Sequence, residues 1–341
     1  MHNISQIVDK MPIFMYNYTK FLNIKQNLCM KGSAEMKIFI DGSAGTTGLR
    51  IHQRLTKRKE LDLITLPEDL RKDTQTRKCA INEADIVFLC LPDASVKEAV
   101  NLCENSNTVI IDTSTAHRTN PNWCYGFPEL LGLRENIATS KRISNPGCHA
   151  SGFIALVAPL VSSGLLSKST ALSCLSLTGY SGGGKKMIEQ YEDSDRDILL
   201  KAPRQYGLSQ AHKHLPEMKL ISGIDTAPLF CPVVADFYSG MEVTVPLFMK
   251  DVSGTIDDIK NVYKNTYTGK LVHFDDVCDE EGFFSANALS GRDDMQITVS
   301  GNTERIILTA RFDNLGKGAS GAAIQNMNIV LGIDETTGLV F

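Results

Sequence analysis

The sequence predicts an α/β protein: a doubly wound parallel sheet joined to an α+β part whose sheet is mostly antiparallel. Three observations carry this. Short apolar runs alternate with helical segments between residues 37 and 112, a glycine-rich turn follows the first run, and the runs after residue 229 are β-rich without that alternation. Residues 37–41 (KIFID) read as a short buried strand, 42–48 as a turn, and 49–55 as the start of a helix with Ile51 and Leu55 four apart. Runs at 62–66, 85–91 and 108–112 read as further strands, with a helix over 95–102. After Cys148, residues 150–166 form a long apolar helix and 172–177 a strand that enters a second glycine cluster. Partly alternating strands follow over 241–248, 295–300 and 305–312, and a helix over 320–331 closes the pattern.

Bulk properties narrow the function. The 341 residues suggest two domains, and their net charge of -4 supplies no global basic field for nucleic acid or an anionic membrane. Nine scattered cysteines, none in C-x-x-C spacing, argue against a disulfide framework or zinc site and for a reducing compartment. No stretch reaches the roughly 18 apolar residues of a membrane helix. Residues 1–35 lack the apolar core of a secretory signal and contain no arginine; they are set apart as an extension without an assigned role.

Gly42, Gly45 and Gly48 separate the first strand from its helix. Glycine allows a sharp turn and close approach of a ligand, and the helix start offers free N–H groups to a phosphate. Thr46 and Thr47 add hydroxyl donors. The G-x-x-G-x-x-G spacing differs from the commonest dinucleotide fingerprint, and a tight turn without ligand is the competing reading. The second strand is followed by Glu68 and Asp69, suited to a ribose hydroxyl, and by Arg71 and Lys72, suited to an extra phosphate; the residues alone leave NAD and NADP open.

The sharpest local feature is Ser144-Asn145-Pro146-Gly147-Cys148-His149, a turn that places one cysteine at a helix N-terminus. Such a position favours the thiolate, the reactive form; a small buried residue under a turn is the bland alternative. His212-Lys213-His214-Leu215-Pro216-Glu217 offers two histidines, with Pro216 able to open a helix and Glu217 able to orient an imidazole. Surface histidines and a metal site compete with a catalytic base, and a metal lacks third and fourth ligands here. Gly179–Gly184 with Lys185 and Lys186 nearly matches a P-loop but lacks its final Ser or Thr, which argues for an anion or cofactor cradle over triphosphate hydrolysis. Arg118 follows a strand end, where it could clamp a carboxylate or phosphate or simply be solvated.

Seven stretches in order, IDGSAGTTGLRI (40–51), DTSTAHRT (112–119), YGFPEL (125–130), SNPGCHASG (144–152), GYSGGGKKMI (179–188), HKHLPEM (212–218) and DNLGKGASGAAIQNMN (313–328), resemble the shorter N-acetyl-gamma-glutamyl-phosphate reductases of arginine biosynthesis. The resemblance implies a Rossmann-type NADP-binding domain (36–147 with 315–341), and a catalytic and oligomerisation domain (148–314) like that of glyceraldehyde-3-phosphate dehydrogenase. It implies NADP(H), a small-molecule acyl phosphate substrate, the cytoplasm, and a homotetramer or homodimer, with no metal, nucleic acid or membrane partner. Cys148 would be the nucleophile and His214 the acid/base, oriented by Glu217. Arg118, His212, Ser114, Asn145 and Glu217 would surround the substrate. Gly42, Ala44, Gly45, Thr46, Thr47, Gly48, Ser181, Gly182, Gly183 and Asn314 would surround NADP. Reduction of an aspartyl or aminoadipyl phosphate is the nearest rival; a cysteine hydrolase or a non-catalytic dinucleotide sensor lies further off.

Overall fold

The structure, a computed structural model, describes residues 36–341. The expectation for residues 1–35 lies outside the described residues.

The first sheet runs in the order β2-β1-β3-β4-β6-β5, with β1 Met36–Asp41, β2 Leu61–Ile64, β3 Ile86–Leu89, β4 Val109–Asp112, β5 Cys124–Tyr125 and β6 Arg142–Ser144. The pairings β1–β3, β3–β4, β4–β6 and β5–β6 are parallel. All four residues of β3 and of β4 are buried, as strands covered on both faces require. The connecting helices are α1 Thr46–Leu55, α2 Thr74–Glu83, α3 Asp93–Leu102 and α4 Leu133–Thr139. Asp73 caps α2 by accepting from the Thr76 amide. The strand order reverses between β1 and β3, so their C-terminal ends frame a crevice of the kind that takes ligands.

The second sheet runs β11-β12-β13-β10-β7-β9-β8, with β7 Ser173–Gly179, β8 Arg204–Gln205, β9 Leu229–Ala235, β10 Met241–Phe248, β11 Val272–Phe274, β12 Met295–Gly301 and β13 Arg305–Phe312. Four of its pairings are antiparallel, while β7–β9 and β11–β12 are parallel. One face is covered by α5 Cys148–Ser162 and α8 Ile256–Thr266. The remaining helices are α6 Lys185–Glu192, α7 Leu215–Ser222 and α9 Gly321–Val330.

α5 is buried along most of its length although Pro159 interrupts its hydrogen-bond ladder. Proline has no N–H, so the Ala155 carbonyl four residues back loses its helical donor. The Tyr267 hydroxyl donates to that carbonyl at 2.6 Å, and Tyr263 donates to the next, Leu156, at 2.6 Å. α9 packs on α4 and β4. There Asn326 donates to the Gly126 carbonyl (2.9 Å) and to Asn145 Oδ1 (3.2 Å), which ties the last helix to the turn before Cys148.

Candidate active site

The loops leaving β1, β3, β4 and β6 open with those after β7 and before α7 on one cleft of ≈ 540 Å³. Its wall brings together Cys148, His212, His214, Arg118, Ser114 and Asn145 with Gly45, Thr46, Thr47, Ser181, Gly182, Gly183 and Asn314. Gly42, Ala44, Gly48 and Glu217 lie off that wall.

Gly147 is the extended N-cap of α5, with φ -81 and ψ 144, and Cys148 is the first helical residue. A Cβ on Gly147 would stand 2.3 Å from Arg118 Nη1 and 2.5 Å from His214 Nε2, so the cation and the imidazole pack directly on the turn that carries the cysteine. The expected resting thiolate is not what this pocket favours. Burial pushes the Cys148 thiol above its ordinary range, and the Arg118 charge, the His149 amide and Lys213 offset that only in part. Burial, reinforced by Arg118 and the neighbouring histidines, holds His214 well below its ordinary value. Both shifts favour the uncharged forms, a thiol and a neutral imidazole on one cleft wall.

Three imidazoles cluster here, their ring centroids 4.9 to 5.7 Å apart. His149 has both nitrogens engaged, Nδ1 with Ser176 Oγ at 2.6 Å and Nε2 with Tyr206 Oη at 2.7 Å, and burial pushes it down to about 3. Its role is packing. His212 is half-buried, and its Nδ1 accepts from the His214 amide at 3.3 Å. His214 Nδ1 is buried without a hydrogen-bond partner among the described residues.

That orphaned nitrogen corrects one expectation: Glu217 does not orient His214. The Glu217 side chain points to the cysteine turn and is 1 % exposed. Its Oε1 accepts from the Gly147 amide at 2.8 Å and from the Tyr125 hydroxyl at 2.7 Å, while Oε2 pairs with Arg118 Nη1 at 3.2 Å. Both oxygens are engaged beneath the turn, and Glu217 lies off the cleft wall where it was expected to meet substrate. Arg118 is similarly committed, since its Nε and Nη2 donate to the carbonyls of Asn145 (2.9 Å) and Thr113 (3.0 Å).

The opposite wall suits a dinucleotide. α1 starts at Thr46 with no side-chain cap and no acidic residue in its first turn, leaving amides free for an anion. Gly42 turns the chain at φ +92, where a Cβ would meet the Cys90 carbonyl at 2.4 Å; a Cβ on Gly48 would meet the Gly42 carbonyl at 2.3 Å. These two glycines are required by backbone packing. Gly45 differs: its Cβ would meet the nearest atom at 3.5 Å, an ordinary contact that a methyl tolerates. Gly42 and Ala44 line a separate cavity of ≈ 220 Å³ with Arg71 and Lys72. Glu68 and Asp69 are not on its wall, and its one carboxylate, Asp41, is paired with Arg77 at 3.0 Å. Among the described residues, two cations without a partner and no free carboxylate line it, which fits a ribose phosphate better than a ribose hydroxyl. Across the cleft, Asn314 donates to Ser181 Oγ at 3.0 Å and fixes the second glycine loop.

Relatives decide the family. The chain is 43% identical over 319 residues to N-acetyl-gamma-glutamyl-phosphate reductase 2 of Nostoc sp., covering 89% of this chain and 99% of that one. It is 46% identical over 307 residues to N-acetyl-gamma-glutamyl-phosphate reductase of Brucella suis, covering 87% and 99%. The chain belongs to the N-acetyl-gamma-glutamyl-phosphate reductase family. Residues 65–140 of this reductase family member match the semialdehyde dehydrogenase NAD binding domain, and residues 148–314 the semialdehyde dehydrogenase dimerisation domain. Its fold is shared with aspartate semialdehyde dehydrogenase II of Vibrio cholerae, at TM-score 0.65 and 13% identity over 88% of this chain and 99% of that one. It is also shared with the Candida albicans aspartate semialdehyde dehydrogenase solved with NADP, at TM-score 0.63 and 14% identity over 87% and 99%.

In this member of the reductase family, sequence reasoning missed Tyr206, Asp93 and Lys213, all on the cleft wall. Lys213 carried a signal, a lone cation between two singled-out histidines. Tyr206 and Asp93 carried none, because neither lies in a motif.

Proposed function

We propose that Cys148 is the nucleophile through which this chain reduces N-acetyl-γ-glutamyl phosphate to N-acetyl-glutamate semialdehyde and phosphate, a step of arginine biosynthesis, with NADPH. The observation that carries the reading is the packing of Cys148, His214 Nε2 and the Arg118 cation on one turn, in the cleft that also receives the uncapped start of α1. Arg71 and Lys72 would hold the extra phosphate, and Gly45, Thr46, Thr47 and Ser181–Gly183 the rest of the dinucleotide. NADPH, when bound, supplies the hydride.

The steps of the chain itself follow from the neutral pair. His214 accepts the thiol proton as Cys148 Sγ bonds to the acyl carbon, and phosphate leaves; the thioester divides one hard displacement into two easier ones. The α5 amides and Arg118 stabilise negative charge that develops beside the sulfur. After reduction the Cys148-bound carbon is a thiohemiacetal. Its oxygen holds the proton that His214 took from the thiol; His214 takes that proton back as the C=O forms and the C–S bond breaks, and passes it to the sulfur, which regenerates the thiol.

Assembly and location complete the proposal. The sheet face opposite α5 exposes Leu175, Leu229, Phe248 and Ile307, at 48%, 66%, 55% and 42%. An apolar face of this size, within the segment matching a dimerisation domain, fits a second copy of the chain, as homodimer or homotetramer. The cysteines among the described residues are free thiols, and no described helix is long and apolar enough to cross a membrane, which suits a cytoplasmic enzyme. The test is a side-by-side assay with N-acetyl-γ-glutamyl, aspartyl and carrier-linked aminoadipyl phosphates. Turnover of the first above the others supports the reading; preference for either other compound would replace the substrate.

A further inference from the structure

We propose that Lys213 binds the phosphoryl group of the acyl phosphate and stabilises it as it leaves; this rests on the reading of Cys148 as nucleophile. The substrate carries a phosphate and a carboxylate, and each needs a cation or a set of donors. Among the described residues, the cleft wall holds two permanent cations, Arg118 and Lys213. Arg118 is 8 % exposed and spends three of its donors on Glu217, Asn145 and Thr113. Lys213 is exposed and makes no hydrogen bond or ion pair with any described residue. The carboxylate on the same wall, Asp93, is already engaged by the amide and hydroxyl of Thr115.

Position decides between the two anionic ends. Lys213 stands between His212 and His214, two residues before α7, on the same cleft wall as Cys148; its charge also acts on Asp93, Cys148 and the three histidines. The phosphate is bonded to the very carbon that Sγ attacks, whereas the carboxylate lies a side chain's length away. Arg118 is the other cation on this wall and has three donors committed to the cysteine turn, which leaves Lys213 to meet the phosphate. In the step itself the S–C bond forms, the C–O bond to phosphate breaks with its electron pair on the leaving oxygen, and the thiol proton goes to His214. The Lys213 ammonium balances the charge gathering on that oxygen.

Oxidation of N-acetyl-glutamate semialdehyde with NADP and inorganic phosphate reads the same step in reverse. In Lys213→Met the KM for phosphate should rise about tenfold or more, the KM for the aldehyde should stay within about twofold, and Lys213→Arg should recover most of the loss. Without turnover, inorganic phosphate should slow iodoacetamide alkylation of Cys148 in the wild type, against chloride at equal ionic strength, and fail to do so in Lys213→Met. An unchanged phosphate KM, or a rise confined to the aldehyde KM, overturns the assignment of Lys213 while the wild-type activity stands. Absence of phosphate-dependent oxidation in the wild type overturns the functional reading and this one with it.

Discussion

Replacing Glu217 with alanine removes the carboxylate that pins the cysteine turn and leaves Arg118 without its counter-charge. That carboxylate accepts two hydrogen bonds and one charge-assisted pair, at 2.8, 2.7 and 3.2 Å, in a site 1 % exposed. Breaking a buried ion pair from one side costs about 3–5 kcal/mol, a large part of the roughly 5–15 kcal/mol that holds a domain together. Denaturant unfolding should show that loss. Glu217→Gln, which keeps an acceptor for the Gly147 amide, should lose less. A second effect has the opposite sign. The Glu217 charge raises the Cys148 thiol and the Arg118 charge lowers it, so removing Glu217 should bring the thiol down. A lower thiol raises the thiolate fraction at neutral pH, and alkylation quickens with it. Iodoacetamide labelling of the Gln variant across pH measures it, and Arg118→Met should move the rate the other way. If Glu217→Gln keeps wild-type stability and leaves the alkylation profile unmoved, the role assigned to Glu217 is wrong.

Four further outcomes follow from the packing. Wild-type Cys148 should be alkylated slowly at neutral pH and faster as pH rises past the ordinary thiol range, because burial holds the proton on; a plateau reached below pH 7 would contradict the neutral pair. His149, His212 and His214 are all held below their ordinary value by burial, so below about pH 6.5 the unfolded chain binds protons the folded one excludes. Stability is thus complete above that pH and falls toward pH 3; Tm should drop between pH 7.5 and 5, less so in His149→Gln, and a flat Tm would argue against it. Gly45→Ala should keep wild-type stability yet weaken NADPH binding about tenfold or more, while Gly48→Ala, with its Cβ against the Gly42 carbonyl, should unfold the turn; equal behaviour of the two would remove the distinction between cradle and scaffold. In α5, Tyr267→Phe should cost about 1–3 kcal/mol by orphaning the Ala155 carbonyl, and Pro159→Ala should recover much of it by restoring the N–H; additive effects would sink that pairing.

The parallel sheet was legible because its central strands are continuous apolar runs punctuated by turns, as at Ile86–Leu89 and Val109–Asp112. β5 and β6, of two and three residues, are too short for any period and exist only because a neighbouring strand offers its edge. α8 was missed although Thr255 and Asp258 form a capping box, a signal available in the sequence. The helix start at Thr46 lies three residues earlier than the apolar spacing indicated, because Thr46–Gly48 fill the first turn without apolar side chains. The helix N-terminal position of Cys148 was legible from the turn before it and the apolar run after it. The i, i+3 spacing of Glu217 from His214 misled: the carboxylate reaches Gly147, 70 residues away, and such a partner is set by tertiary packing. The net effect on the Cys148 thiol was equally hidden, since a helix N-terminus is visible in sequence and the desolvation opposing it is not.

Thioester chemistry at Cys148 is tested most directly by following NADPH oxidation with N-acetyl-γ-glutamyl phosphate in the wild type and in Cys148→Ala, with NADPH binding measured on both. The wild type should turn over, and the variant should bind NADPH with a similar Kd yet leave it unoxidised. Oxidation by Cys148→Ala at a rate near the wild type would mean that hydride reaches the substrate without a bond to this sulfur.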